Sequence, residues 1–155
     1  MSYIALANIT LSSAASSVTF ASIPNTYRDL VLVANGTQTA NGNFALRFNS
    51  DSGSNYFRVV MYGDGSSTGS FTESSQTSLG IAYWETGRSM VTCSIQDYSA
   101  TDKHKTTLSR SGAGIYVHAF AGRWANTSAI TSVTVLAPGT TIASGTTISL
   151  FGIAG

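Results

Sequence analysis

A period of two runs through almost the whole chain, and it limits the fold more than any other feature. Tyr3 to Leu11 sets Ile4 and Leu6 against Ala5 and Ala7, then continues with Ile9 and Leu11. The frame change near Asn8 reads as a β-bulge. Ser17–Phe20 forms a short second run, closed by the turn Ile23-Pro24-Asn25-Thr26, where proline presets φ. Leu30 to Ala34 is continuously apolar, the mark of a strand covered on both faces. Phe44–Asn49 and Asn55–Tyr62 flank a polar loop and read as a hairpin with a long connection. Gly63 to Ser78, rich in Gly, Ser and Thr, reads as a surface loop with one weak strand at Phe71-Thr72. Further strands are expected at 79–84, 89–95, 105–110, 115–124, 130–137 and 146–153. No window keeps apolar residues at spacings of three and four, so no helix longer than a turn is expected. The chain therefore reads as all-β, a single antiparallel β-sandwich domain over residues 1–155.

Charge is scarce. Charged residues make up 10% of the chain against about 25% in an ordinary soluble domain, while Ser and Thr exceed a quarter. The strands are expected to turn hydroxyls, not charges, outward. Net charge is +1 and the six arginines are scattered singly, so no field exists to hold nucleic acid or an anionic membrane. Cys93 is the only cysteine, which excludes an internal disulfide and a thiolate metal cluster. The start Met-Ser-Tyr-Ile-Ala-Leu lacks a basic region and a long apolar run, so no signal peptide is expected. No stretch approaches the roughly 20 apolar residues of a membrane span. Folding in a reducing cytoplasm is the expectation.

The catalytic patterns are poor. Gly65-Ser66-Ser67-Thr68-Gly69 matches the nucleophile-elbow string, but that motif needs a strand entering and a helix leaving. His104 lies in a solvated Asp-Lys-His-Lys stretch, and His118 lies mid-strand between Val117 and Ala119, on the outward or interface side. Cys93 alternates with Val91 and Ile95 as a buried small hydrophobe would. Asn49, Asp51 and Asn55 crowd one loop and Asp64 another, yet calcium wants six to eight oxygens and these loops offer one carboxylate each. They read instead as side-chain-capped turns. No enzyme activity, cofactor or metal is expected.

The aromatic residues carry more information. Tyr83-Trp84 ends one strand, Trp124 ends another, and Tyr56, Tyr62 and Tyr116 lie within strands. Such rings either stack on sugars, or cap a sandwich core and fill an oligomer interface. Tyr83, Trp84 and Trp124 are thus the candidate interface or glycan contacts, joined by Tyr3 and Ile4 of a possible N-terminal arm whose plainer reading is a first strand. Three Asn-x-Ser/Thr strings, at Asn8, Asn35 and Asn126, mean nothing without a secretory signal.

Several ordered motifs resemble one family. They are Ile23-Pro24-x-x-Tyr27-x-Asp29-Leu30, Phe48-Asn49-x-Asp51-x-x-x-Asn55-Tyr56, and Asp97-Tyr98-Ser99 leading to Lys105-Thr106. Trp124 leading to Ala129-Ile130-Thr131, and Ser144-Gly145-Thr146 leading to Leu150-Phe151-Gly152-Ile153, complete the set. Together they resemble, nearly end to end, small jelly-roll virion proteins of tailed bacteriophages, especially marine phages and cyanophages. The resemblance implies a jelly-roll sandwich and a capsid decoration (cement) protein, commonly a homotrimer seated on the major capsid protein at the virion surface and made in the host cytoplasm. It supplies no catalytic residues; Pro24 with Tyr27 shaping a corner, and Gly145 opening the final strand, look like fold determinants. The alternative it allows is a receptor-binding or tail-fibre tip domain reading host surface glycans through Trp84, Trp124 and the tyrosines. A carbohydrate-binding module of an enzyme is a third reading, but the chain shows no linker and no catalytic partner.

Overall fold

The computed structural model describes residues 2–155, among which there are twelve strands and no helix. In chain order these are β1 (Ser2–Thr10), β2 (Ser17–Phe20), β3 (Asp29–Gly36), β4 (Gly42–Phe48), β5 (Tyr56–Gly63), β6 (Thr68–Gln76), β7 (Leu79–Trp84), β8 (Ser89–Gln96), β9 (Lys105–Ala113), β10 (Tyr116–Trp124), β11 (Val133–Leu136) and β12 (Thr147–Ala154). Two antiparallel sheets result, one of eight strands ordered β1-β12-β3-β8-β9-β10-β5-β6 and one of four ordered β2-β11-β4-β7. Only the β5–β6, β8–β9 and β9–β10 connections stay within a sheet; every other one crosses between layers. This is an all-β sandwich wound as a jelly roll.

The core lies between the layers. Leu30, Leu32 and Ala34 of β3, Val91, Cys93 and Ile95 of β8, and Ile148 and Leu150 of β12 meet Phe44, Leu46 and Phe48 of β4, Ile81 of β7, and Val133 and Val135 of β11. Val31, on the other face of β3, is also buried, as its continuous apolar run requires. The Cys93 thiol is fully enclosed, and burial pushes its pKa up to about 12. Trp84 is completely buried and stacks on Phe44 at 4.1 Å between ring centroids.

Near β7 the alternation inverts. On β9 it is Thr107, Ser109 and Ser111 that point inward, while Leu108 faces out. The reason is a close approach between layers: Ser109 Oγ donates to the Ile81 carbonyl at 2.6 Å. A Cβ on Gly122 of β10 would fall 2.6 Å from Thr107 Oγ1 and 2.7 Å from a Leu79 methyl. Only small side chains let β7 lie this near, so opposite β7 the inward positions of β9 and β10 are Thr107, Ser109 and Gly122, while Leu108 faces out.

Four sequence expectations are corrected. Phe44–Asn49 and Asn55–Tyr62 do not form a hairpin, because β4 pairs with β7 and β11 while β5 pairs with β6 and β10 in the other sheet. Their connecting loop is an arch over the end of the sandwich, turned by Asn49 (φ 51°) and Ser50 (φ 59°). The polar segment 63–78 is not a loop but mostly the nine-residue edge strand β6, held by its backbone ladder to β5 and nearly all exposed. The β1 bulge falls between Ala5 and Ala7 rather than near Asn8. The strand expected over 130–137 is confined to β11, with Ile130 buried in the preceding loop and its N–H donating to the Tyr98 carbonyl. The corner expected at Pro24 and Tyr27 is present: the Tyr98 hydroxyl donates to the Pro24 carbonyl, and the Tyr27 ring lies where a Cβ on Gly152 would be. Gly145, at φ +82°, turns the chain into β12.

Candidate functional site

Because eight strands face four, the large sheet extends past the small one. The inner face of β10, β5 and β6 beyond β7 is therefore uncovered. Tyr116, His118 and Phe120 of β10, Val60 and Tyr62 of β5, and Phe71 of β6 line this hollow, and Tyr83 of the small sheet's edge strand β7 with its partner Asn43 of β4 close it. Its volume is about 360 Å³. His118 stands at the centre, with ring centroids 5.7 Å from Phe120, 5.9 Å from Tyr116, and 6.2 Å from both Tyr62 and Tyr83. Burial lowers the imidazole pKa, with the Glu85 carboxylate acting in the opposite direction. Its Nδ1 is buried and has no hydrogen-bond partner among the described residues. The sequence placed His118 on the outward or interface side, opposite its apolar neighbours Val117 and Ala119; it instead shares the inward phase of Phe120 and Trp124, and Val117 and Ala119 are on the outward phase.

Below the hollow lies an ion pair. Arg58 is buried under Phe120, 5.5 Å from that ring, and its Nε donates to Glu73 Oε2 at 2.6 Å. Nη2 reaches Asn43 Oδ1 at 3.3 Å.

The opposite, outer face of the same strands is exposed and apolar. Register places Leu108, Ala121 and Val59 in one cross-strand row, and Ala119 and Met61 beside Arg110 in the next. Val117 (64% exposed), Met61 (61%) and Leu108 (58%) are open, as are Val59 and Met90. Arg110 and Arg123 share this face, and no carboxylate is on it.

The residues singled out in the sequence scatter. Trp84 and Trp124 are core and cannot touch a ligand or a partner, a correction to their reading as contacts. Each ends a strand on its inward phase, where a large ring fills the sandwich. Tyr83 is exposed enough to serve, and lies at the rim of the hollow. Tyr3 and Ile4 are exposed on β1, which pairs with β12 as an ordinary edge strand, with Tyr3 edge-on to Phe151. Ser67 lies in the tight connection from β5 to β6, where Asp64 Oδ1 accepts the Ser66 and Ser67 N–H groups, so the elbow string is a capped turn. His104 is exposed in a loop. Tyr56 is buried, its hydroxyl donating to the Asp51 carbonyl and accepting from Phe48 N–H, and burial leads its pKa up to about 12.

The loop considered for calcium is a knot of internal bonds. Asp51 Oδ2 accepts from Trp124 Nε1 at 2.7 Å and Asn55 Nδ2 at 2.9 Å, and Oδ1 from Gly53 N–H at 2.8 Å. Asn49 ties the same loop to the segment before β11, accepting from Thr131 and Ser132 N–H and donating to the Ala129 carbonyl. No cluster of three His, Cys, Asp or Glu side chains suited to a metal occurs among the described residues. Burial raises the Asp51 pKa, but the bonds from Trp124, Asn55 and Gly53, with the Arg47 charge, outweigh it and hold the group below its ordinary 3.8. A carboxyl lowered on folding stabilises the fold above its unfolded pKa, and that stability disappears as pH falls through the folded value. Asp51→Asn is therefore expected to lower stability at pH 7 and to flatten the decline below about pH 4, as read by urea unfolding across pH.

Tyr62, Tyr116 and His118 were not assembled into a site by sequence. The available signal was the in-phase series Tyr116, His118, Phe120, Trp124, which is core-like at one end and polar-tipped at the other.

No protein-family model matches the chain, and no curated protein matches it. Among solved structures it is similar to the galectin LEC-6 of Caenorhabditis elegans, at 8% identity and a TM-score of 0.43 over 96% of each chain. It is also similar to part of the exo-inulinase of Aspergillus awamori (11% identity, TM-score 0.42), covering 98% of this chain and 30% of that one. A tetrameric galectin from the ball sponge Cinachyrella sp. matches at 12% identity and a TM-score of 0.32, over 88% of this chain and 99% of that one. Likeness of this degree leaves function to the chain's own residues.

Proposed function

We propose that this chain is a non-enzymatic virion structural protein of a tailed bacteriophage, a capsid decoration (cement) protein that oligomerises on the head lattice and stabilises it. The observation that carries the reading is the uncovered apolar outer face of β8, β9, β10 and β5. Contiguous exposed apolar surface of this kind marks protein–protein contact. It is flanked by hydroxyls rather than carboxylates, so a partner can cover it without desolvating acids, each of which would cost several kcal/mol. The occupant is a neighbouring copy of the chain. Two copies meeting face to face would bring Arg110 and Arg123 against their own kind. A heterologous contact, outer face against another surface, avoids this, and where its rotation closes it forms a ring such as a trimer. Assembly on the lattice then adds stability to the head by mass action. The class of assembly, a phage head and its major capsid protein, rests on the motif resemblance from Ile23 to Ile153.

The test is the copy number of the chain in purified particles, by quantitative mass spectrometry against the major capsid protein. Hundreds of copies in simple ratio to the capsid protein are expected. A handful per particle, or none, overturns the decoration role.

A further inference from the structure

The hollow on the inner face is a separate feature, on the other side of the sheet from the proposed copy-to-copy contact, and the lattice role makes no use of it. A sheet face left bare by a short partner sheet is normally filled by large apolar side chains or covered by a loop. Here it is neither. Tyr62, Phe71, Tyr83 and Tyr116 stand around His118 and leave about 360 Å³ open, within the range of about 300–1,000 Å³ of small-molecule sites.

The chemistry of the lining narrows the occupant. The walls are aromatic faces, which attract the C–H face of a saturated ring as well as another aromatic ring. The lining also carries polar groups: three tyrosine hydroxyls, the Asn43 amide and the imidazole of His118. A wholly apolar ligand would strip water from these hydroxyls and this amide without replacing its hydrogen bonds, at a cost of about 1–3 kcal/mol for each group left unpaired. An anion would need a free cation, and Arg58, the cation beneath the floor, already serves Glu73. A cation would need a free acid in the lining, and the lining has none. What satisfies both walls and lining is a neutral ring with one apolar face and an equatorial belt of hydroxyls.

We infer that the hollow bounded by Tyr62, Phe71, Tyr83, Tyr116 and His118 binds a neutral hexopyranose, stacked on the tyrosine rings and hydrogen-bonded to His118 and Asn43. The sugar is recognised as a terminal or single residue, because the hollow admits about one ring.

The intact protein, labelled at histidine and tyrosine, is titrated by NMR with glucose, galactose, mannose and N-acetylglucosamine, and with indole as a ring lacking hydroxyls. At least one sugar is expected to bind saturably with a Kd of about 1–10 mM, shifting the His118 and Tyr83 signals. Tyr83→Ala and His118→Ala, both checked for unchanged thermal unfolding, are each expected to weaken binding about tenfold or more, while Leu108→Asp on the outer face leaves it unchanged. His118→Gln, which keeps a polar tip, tests the hydrogen bond if His118→Ala unfolds. Three results overturn the inference: no sugar binding up to about 100 mM, sugar binding indifferent to both hollow variants, or binding of indole where no sugar binds. None of these bears on the copy number in particles, so the two readings fail separately.

Discussion

Replacing Arg58 by alanine is expected to cost the fold about 3 kcal/mol, which in a domain of this size lowers Tm by about 6–12 °C. The side chain is 4% exposed, while that of its partner Glu73 is 35% exposed. Removing one member of a buried pair strands the other, at about 3–5 kcal/mol when both are enclosed. Glu73, at the sheet edge on β6, regains part of its hydration, which puts the expected loss at the low end. The guanidinium also fills space that nothing else reaches: a Cβ on Gly80 would lie 1.3 Å from Nη1, so β7 approaches β5 only because residue 80 has no side chain. Gly80→Val is accordingly expected to displace the guanidinium and destabilise by a similar amount. The pair Arg58→Met with Glu73→Met is expected to recover most of the loss, because apolar replacement of both partners removes the desolvation along with the attraction. Urea unfolding of the three variants separates these outcomes. A loss under about 1 kcal/mol for Arg58→Ala would place the pair among solvent-screened surface bridges.

The second large effect concerns assembly. Leu108→Asp with Val117→Asp puts two carboxylates into the outer face, at positions already open in the single chain. Stability of the isolated subunit is expected to change by no more than about 0.5 kcal/mol per site. Self-association is expected to weaken by at least about thirtyfold, the equivalent of about 2 kcal/mol for central contact residues. Sedimentation velocity over a concentration series reads this directly: an oligomer for the parent, a monomer for the variant. A parent that stays monomeric throughout, or a variant that assembles as well as the parent, removes the outer face as the contact between copies.

Sequence periodicity revealed most strands because their inward positions are apolar, as at Leu30, Leu32 and Ala34 or Phe44, Leu46 and Phe48. It missed β6 for the same reason. That strand lies at the sheet edge with no core face, and its backbone pairing with β5 leaves no trace in side-chain pattern. The supposed hairpin of β4 and β5 failed because an arch between layers and a hairpin loop use the same turn residues, here Asn49, Ser50 and Gly53. The aromatic residues were legible as a class but not by side. Trp84 and Trp124 are inside and Tyr83 outside, a distinction set by strand phase relative to a sheet whose width no local pattern encodes. The hollow depends on that width. Its walls come from β5, β6, β10 and the edge of the small sheet, and they converge only because the small sheet stops at β7.

The order of strands also sets when a newly made chain can fold. β1 has β12 as its sole neighbour, and β2 has β11. As the polypeptide leaves the ribosome at about 5–20 residues per second, residues 2–20 wait many seconds without a mate until residues 133–154 have been made. β3 waits as well, since one of its two flanks is β12. A nascent chain of this design cannot close its sandwich from the front, and a prematurely released one presents two unmated edges in place of a smaller native domain. Folding is thereby tied to the synthesis of β12, and a chain that ends before it cannot complete the eight-stranded sheet.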